Sequence, residues 1–233
     1  MFDPSEPNRD IDGGGMRSDD DIKRDVEAEL RWDPDIDATD IAVAVKDGVV
    51  TLSGFVRSYA QKREAERAAL RVAGVRGVAN DIDVRLPLFN QRPDPEIARD
   101  AVAATRNALP YSADHITVSV RDGWVTLEGT VEWNYQRDRA EEAVEHVRGV
   151  KGVTNLIQVQ PRVPPTTDIK ARIEEALRRL AEVDASRIRV EADGSTVILE
   201  GTVRSWAERQ EAERAAWAAP GVTRVENRIV VSP

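Results

Sequence analysis

The chain has 233 residues, 41% of them hydrophobic and 32% charged, with a formal net charge of −9. That is apolar enough to build cores, which excludes a disordered chain. The absence of cysteine excludes disulfides, thiolate metal sites and a cysteine nucleophile, and two histidines, His115 and His146, are too few for a histidine metal cluster.

Residues 1–17 carry four acids, two arginines and a Gly13-Gly14-Gly15 run, too polar to pack, and read as a flexible tail. No basic start followed by an apolar stretch opens the chain, so the expectation is a cytoplasmic protein. No apolar run reaches the length of a membrane-spanning helix.

Beyond the tail one unit occurs three times. Ile41, Gly54 and Asn80 recur as Ile116, Gly129 and Asn155, then as Ile188, Gly201 and Asn227, at constant offsets of 75 and 72. A period this long means tandem small domains rather than a solenoid. The units are placed at 18–86, 94–163 and 166–233, joined by linkers at 87–93 and 164–165 that proline stiffens.

Each unit opens with a helical pattern: Ile22, Val26 and Leu30; Ile97, Ala101, Val102 and Leu109; Ile169, Ile173, Leu177 and Leu180. Thr167 or Asp168 can cap the third. Two strands follow, Ile41–Val45, Ile116–Val120 and Ile188–Val190 each returning through an Asp-Gly pair that tolerates a tight hairpin. The turn glycines are Gly48, Gly123 and Gly194. Unit three slides its pair one residue earlier, so its turn type is expected to differ.

The return strands place Val50, Leu52 and Val56 on one face, with counterparts Val125, Leu127, Val131 and Val197, Leu199, Val203. Gly54, Gly129 and Gly201 lie on that same face and read as gaps where the second helix crosses closely. Ser58 with Gln61, and Ser205 with Glu208, fit capping boxes, while Asn134 is expected to cap unit two. The second helices are rich in alanine and charge and are expected to end at Gly74, Gly149 and Gly221 in left-handed caps. A last strand runs through Val78, Ile82 and Val84 and their repeats.

The fold class is therefore α+β: three α-β-β-α-β two-layer sandwiches, each a three-stranded sheet with two helices on one face. The other sheet face is polar. In unit one it is small and uncharged (Ala42, Ala44, Thr51, Ser53), and is expected to be partly covered by a neighbouring domain or subunit.

The wording Ile-x-Val-x-Val-x-Asp-Gly-x-Val-x-Leu-x-Gly-x-Val, then an alanine- and charge-rich helix, then Gly-Val-x-x-Val-x-Asn, resembles the BON domain family, named for bacterial osmotically inducible and nodulation proteins. Unit three departs from it at Arg224 and at its hairpin. The resemblance implies a non-enzymatic, stress-associated binding or scaffolding module, often periplasmic, in contact with phospholipid or the envelope. A self-associating protein-interaction module with no lipid role is the alternative. Expected partners are thus an anionic phospholipid surface or other proteins, including further copies of this chain. No cofactor is expected.

Aromatic and basic residues at the starts of the second helices suit an interface with anionic lipid: Tyr59, Lys62 and Arg63; Trp133, Tyr135 and Arg137; Trp206 and Arg209. The same residues also fit packing at the helix entry. Gly74-Val-Arg-Gly77 and Gly149-Val-Lys-Gly152 superficially match a phosphate-clamping loop. They read better as a helix cap and turn, and an acidity shared by all three units opposes nucleic-acid binding. Asn80, Asn155 and Asn227 are expected to bond locally at the entry to the last strand. His115 and His146 are expected at the surface. Glu141-Glu142 and Glu174-Glu175 read as solvated helix faces. No catalytic or metal-ligating spacing recurs, so no enzyme is expected.

Overall fold

The computed structural model describes residues 17–162, 168–180 and 183–232. The N-terminal tail up to residue 16, the Pro164-Pro165 linker and Thr167 lie outside them. Unit one runs α1 (Asp19–Trp32), β1 (Ile41–Lys46), β2 (Val49–Val56), α2 (Tyr59–Arg71), β3 (Gly77–Val84). Unit two runs α3 (Asp94–Ala108), β4 (Ile116–Arg121), β5 (Trp124–Val131), α4 (Asn134–Glu145), β6 (Gly152–Val159). Unit three runs α5 (Ile169–Arg179), β7 (Ile188–Asp193), β8 (Thr196–Val203), α6 (Trp206–Trp217), β9 (Arg224–Val231). Each sheet has three strands in chain order, the first pair antiparallel and the second parallel.

Alternation in the strands and four-residue spacing in the helices meet in one core per unit. In unit one, Ile22, Val26 and Leu30 of α1 and Ala65, Ala68 and Ala69 of α2 bury against Val50, Leu52, Val56 and Ile82. In α3 the buried stripe is Ile97, Ala101 and Thr105; Val102, expected on it, is 40% exposed. Thr105 takes its place because its hydroxyl donates to the Ala101 carbonyl at 2.9 Å and leaves no unpaired polar group inside.

The first hairpins close through Asp47-Gly48 and Asp122-Gly123, with positive φ at both residues of each pair, the pattern of a type I′ turn. In unit three Asp193 stays in the strand and only Gly194 has positive φ, so the turn type does differ. Sequence reading missed what pins the first two turns. The Asp19 carboxylate, in the first turn of α1, accepts from the backbone N–H groups of Asp47 (2.8 Å) and Gly48 (2.9 Å). Asp94 does the same for Asp122 and Gly123. The signal was present: Asp19 and Asp94 stand at the repeat offset.

Two glycine readings are corrected. Gly54 has φ +112°, and a Cβ there would lie 1.9 Å from the Asp40 carbonyl oxygen; the repeats Gly129 and Gly201 face the carbonyls of His115 and Arg187 at 2.0 Å. The close approach is thus the turn entering the first strand, directly opposite in register, and not the second helix. Gly74, Gly149 and Gly221 are left-handed but lie beyond the helix ends, whose C-caps are Val72, His146 and Ala218. A Cβ on Gly74 or Gly149 would crowd Ile22 or Ile97 of the unit's first helix, at 3.0 and 2.7 Å.

Capping is corrected in two places. Asn134 is the first residue of α4 and not its cap; the cap is Trp133, whose N–H donates to the Gln136 side chain at 2.9 Å. Asp168 caps α5 by position, but its carboxylate holds Arg172 rather than the backbone. The outer sheet face of unit one is not covered by a neighbouring unit: Ala42 and Ala44 are exposed.

Gly54→Ala is expected to destabilise the chain by well over ~1 kcal/mol in urea unfolding, since the new Cβ meets backbone at a positive φ. Gly77→Ala, where nothing lies within 4 Å, is the control and should stay within ~0.5 kcal/mol of wild type. Equal effects at the two glycines would refute the crowding.

Candidate functional site: the second-helix hub

The second helix of each unit presents one side to its own sheet and the other to the neighbouring units. Its alanine stripe lets the sheet approach closely, which leaves the longer side chains to reach outward. At positions 70, 145 and 217, one repeat offset apart, stand Leu70, Glu145 and Trp217. At positions 59, 134 and 206 stand Tyr59, Asn134 and Trp206. Each junction between units is built on these positions.

Between units one and two, Tyr59 at the start of α2 is buried in the core of unit two. Burial first, and then Glu141 and Glu145, raise its phenol pKa above the ordinary value, with Arg63 opposing. One helical turn on, Arg63 Nε meets Glu145 Oε1 at 3.2 Å, and Arg67 Nη2 meets Glu145 Oε2 at 2.8 Å. Arg63 also reaches Glu141 at 3.6 Å. The Glu145 side chain is 1% exposed. Burial works against both guanidinium charges, but Glu66 and Glu145 outweigh it at Arg63, and Glu145 does so at Arg67; both pKa values end above the ordinary arginine range. A buried carboxylate is tolerated here because two cations and their hydrogen bonds face it.

Between units two and three, Trp217 at the end of α6 packs on the core of unit two, and the Arg137 guanidinium sits 5.2 Å from its ring centroid. Between units three and one, Trp206 at the start of α6 packs on the cores of both, with Arg209 4.7 Å over its ring. The start of α2 therefore meets the end of α4, the start of α4 meets the end of α6, and the start of α6 closes on unit one. The three junctions rest on different chemistry: ionic at Glu145, cation–π at Trp217 and apolar packing at Trp206.

A second repeated device ties each hub helix to its sheet. The Asn80 amide donates to the Lys62 carbonyl at 3.0 Å and to Glu66, while its oxygen accepts from the Ile82 N–H. Asn155 and Asn227 repeat all three bonds. Lys62 Nζ donates to the Ile82 carbonyl at 2.8 Å, as Arg209 does to that of Ile229. Asparagine thus joins helix to strand as well as bonding locally, and the free edge of the last strand is closed by side chains.

The eight residues expected to meet a ligand fall as follows. Tyr59, Arg63, Arg137 and Trp206 take part in the junctions. Lys62 and Arg209 close strand edges. Trp133 is half-buried at the α4 cap, and Tyr135 is 59% exposed. Sequence reading missed Glu145, whose partners lie 78 and 82 residues away. Glu141, read as part of a solvated face, bonds Asn155 and pairs with Arg63. His115 and His146 are exposed, as expected. Among the described residues no cluster of three metal-ligating side chains occurs, and no helix is long and apolar enough to cross a membrane.

Glu145→Ala should cost about 2 kcal/mol, because both arginines keep partial solvent contact. Glu145→Leu should recover most of that, since leucine already fills the equivalent position 70, Arg63 keeps Glu66 and Arg67 keeps Glu64. An Arg67→Ala/Glu145→Ala cycle in urea should show coupling of about 1 kcal/mol, and additivity would refute a shared junction.

A family model described as the BON domain matches residues 18–85, 94–161 and 165–233. Osmotically-inducible protein Y of Escherichia coli (strain K12) is 37% identical over 153 residues, 63% of this chain and 75% of that protein. Two solved structures of CdsD, a structural protein of the type III secretion system of Chlamydia trachomatis, align at 13% identity and a TM-score of 0.26. One alignment covers 91% of this chain and 93% of that one; the other, to the C-terminal domain, covers 93% and 100%.

Proposed function

Because the chain belongs to the BON domain family, we propose that it is a non-enzymatic binding scaffold of the osmotic-stress response, working as one body of three units. The observation that carries the scaffold reading is the hub. Tyr59, Arg63, Arg137 and Trp206 of the second helices are taken up at the junctions, and the first strands keep exposed residues on their other faces. The osmotic part of the reading is supported by the E. coli relative, named as osmotically inducible.

The outward faces differ in chemistry. In unit three Arg228 bonds Glu200 and Glu226, Arg224 pairs with Glu226, and Arg189 with Glu191. In unit one the first two strands present the small Ala42, Ala44, Thr51 and Ser53, and the last presents Asp81 and Asp83. Faces of different character support protein partners of different kinds. The phospholipid reading has one favouring observation, the exposed Tyr135, but Lys62, Arg63, Arg137 and Arg209 are engaged inside the chain, which supports protein partners over an anionic surface.

A strain lacking the protein is expected to recover growth more slowly after osmotic upshift, with rescue by the wild-type chain. Unchanged recovery would remove the osmotic reading. In flotation with anionic phosphatidylglycerol vesicles at low salt, the purified chain is expected to stay in the soluble fraction. Flotation lost on Tyr135→Ala would replace the protein-partner reading with the lipid one.

A further inference from the structure

Every sheet here has two free edges, and they are treated differently. On the β3 edge, the Ile82 N–H and C=O are taken by Asn80 and Lys62. On the β1 edge nothing comparable occurs. The two-residue hairpin and its register direct the backbone of Ala42, Ala44 and Lys46 toward β2, so that of Ile41, Val43 and Val45 points away. The Ile41 N–H is used by the Ala38 carbonyl. Among the described residues, the N–H and C=O of Val43 and Val45 meet no partner.

We propose that this edge pairs with the same edge of a second copy, joining two unit-one sheets into one six-stranded sheet. It does not depend on what else the protein binds. The strand reads Ile41-Ala42-Val43-Ala44-Val45, almost the same in both directions. Antiparallel pairing centred on Val43 sets Val43 against the partner's Val43, Ile41 against the partner's Val45 and Ala42 against the partner's Ala44. The hydrogen-bonding phase fits. Val43 and its mate exchange both bonds, and each Val45 N–H reaches the partner's Ile41 carbonyl. Ala42 and Ala44 keep the middle of the outer face flat, without proline or bulge, and the strand's one charge, Lys46 at its end, falls opposite the partner's Asp40 in this register.

Two further observations select the edge of unit one and a twofold partner. A crevice of about 540 Å³ runs beside β1, floored by Leu30, Ile36, Ile41 and Val43. Unit two replaces Leu30 and Ile36 with Thr105 and Tyr111. The crevice rim carries Glu27 and Arg31, one turn apart on α1. Arg31 has no ion-pair partner among the described residues, and Glu27 meets only Lys23, at 4.0 Å. The twofold axis that pairs the strands lays α1 antiparallel to its copy, so Glu27 faces the partner's Arg31 and the reverse. In unit three the equivalent Glu174 and Arg178 already pair within the helix, and β7 carries charge on its outer face at Arg189 and Glu191.

Light scattering coupled to size exclusion on the full chain should give about twice the 25.8 kDa monomer mass at rising concentration. Ala44→Lys, at an exposed position, should return the monomer with an unchanged circular dichroism spectrum. A wild-type monomer at all concentrations, or a dimer untouched by Ala44→Lys, would overturn the proposal. The register has its own test, since the chain holds no cysteine. Ala42→Cys and Ala44→Cys chains should form a disulfide when mixed and oxidised, being directly opposite. Neither should cross-link alone, because its mate lies on the diagonal, beyond disulfide reach. Equal cross-linking in the unmixed samples would overturn the pairing.

Discussion

The Glu145 carboxylate, closed from solvent between Arg63 and Arg67, is the contact that binds the first two units into one body. It works only in company. A buried anion facing one guanidinium is poorly compensated; facing two, with Tyr59 packed beside them in the core of unit two, it is held in a single geometry. That arrangement also orients α4, which carries Arg137 to Trp217 at the next junction. Trp206 then returns to unit one.

Three copies of one fold can meet in several registers. What distinguishes the right one is that equivalent positions carry different chemistry: leucine, glutamate and tryptophan at one, tyrosine, asparagine and tryptophan at the other. An ionic junction does not exchange with an apolar one without stranding a charge, which costs several kcal/mol. Small domains of about seventy residues have modest cores. Here the junctions enlarge them: Tyr59, Trp206 and Trp217 each lie in, or pack against, the core of a unit other than their own.

The same logic governs the strand edges. A three-stranded sheet cannot avoid two edges, and the asparagine of the last strand closes one by bonding forward to its own strand and backward to the helix. The first strand packs on α1 and pairs with its hairpin partner. How that edge is left, with Arg189 and Glu191 in unit three and Ala42 and Ala44 in unit one, is a property of each unit's side chains rather than of the shared fold.

Elements whose pattern repeats locally are legible in the amino-acid sequence itself. The alternation in the strands, the first two Asp-Gly turns and the Ile22-Val26-Leu30 stripe depend on residues a few positions apart, and the fold keeps each of them in place, repeated at the 75- and 72-residue offsets. Gly54 is recognisable as a place of close approach, but what approaches is a carbonyl fourteen residues away brought opposite by strand pairing, a fact of register rather than of composition. The aromatic and basic residues of the second helices are equally legible as a group. Whether they face a ligand or one another is not, because Arg67 and Glu145 lie 78 residues apart and nothing in either unit alone brings them together. The repeated unit is therefore determined by sequence alone, since period and turn chemistry are local. The use of each unit's surface is decided only by tertiary structure, because a charge declares its role only when its partner is in place.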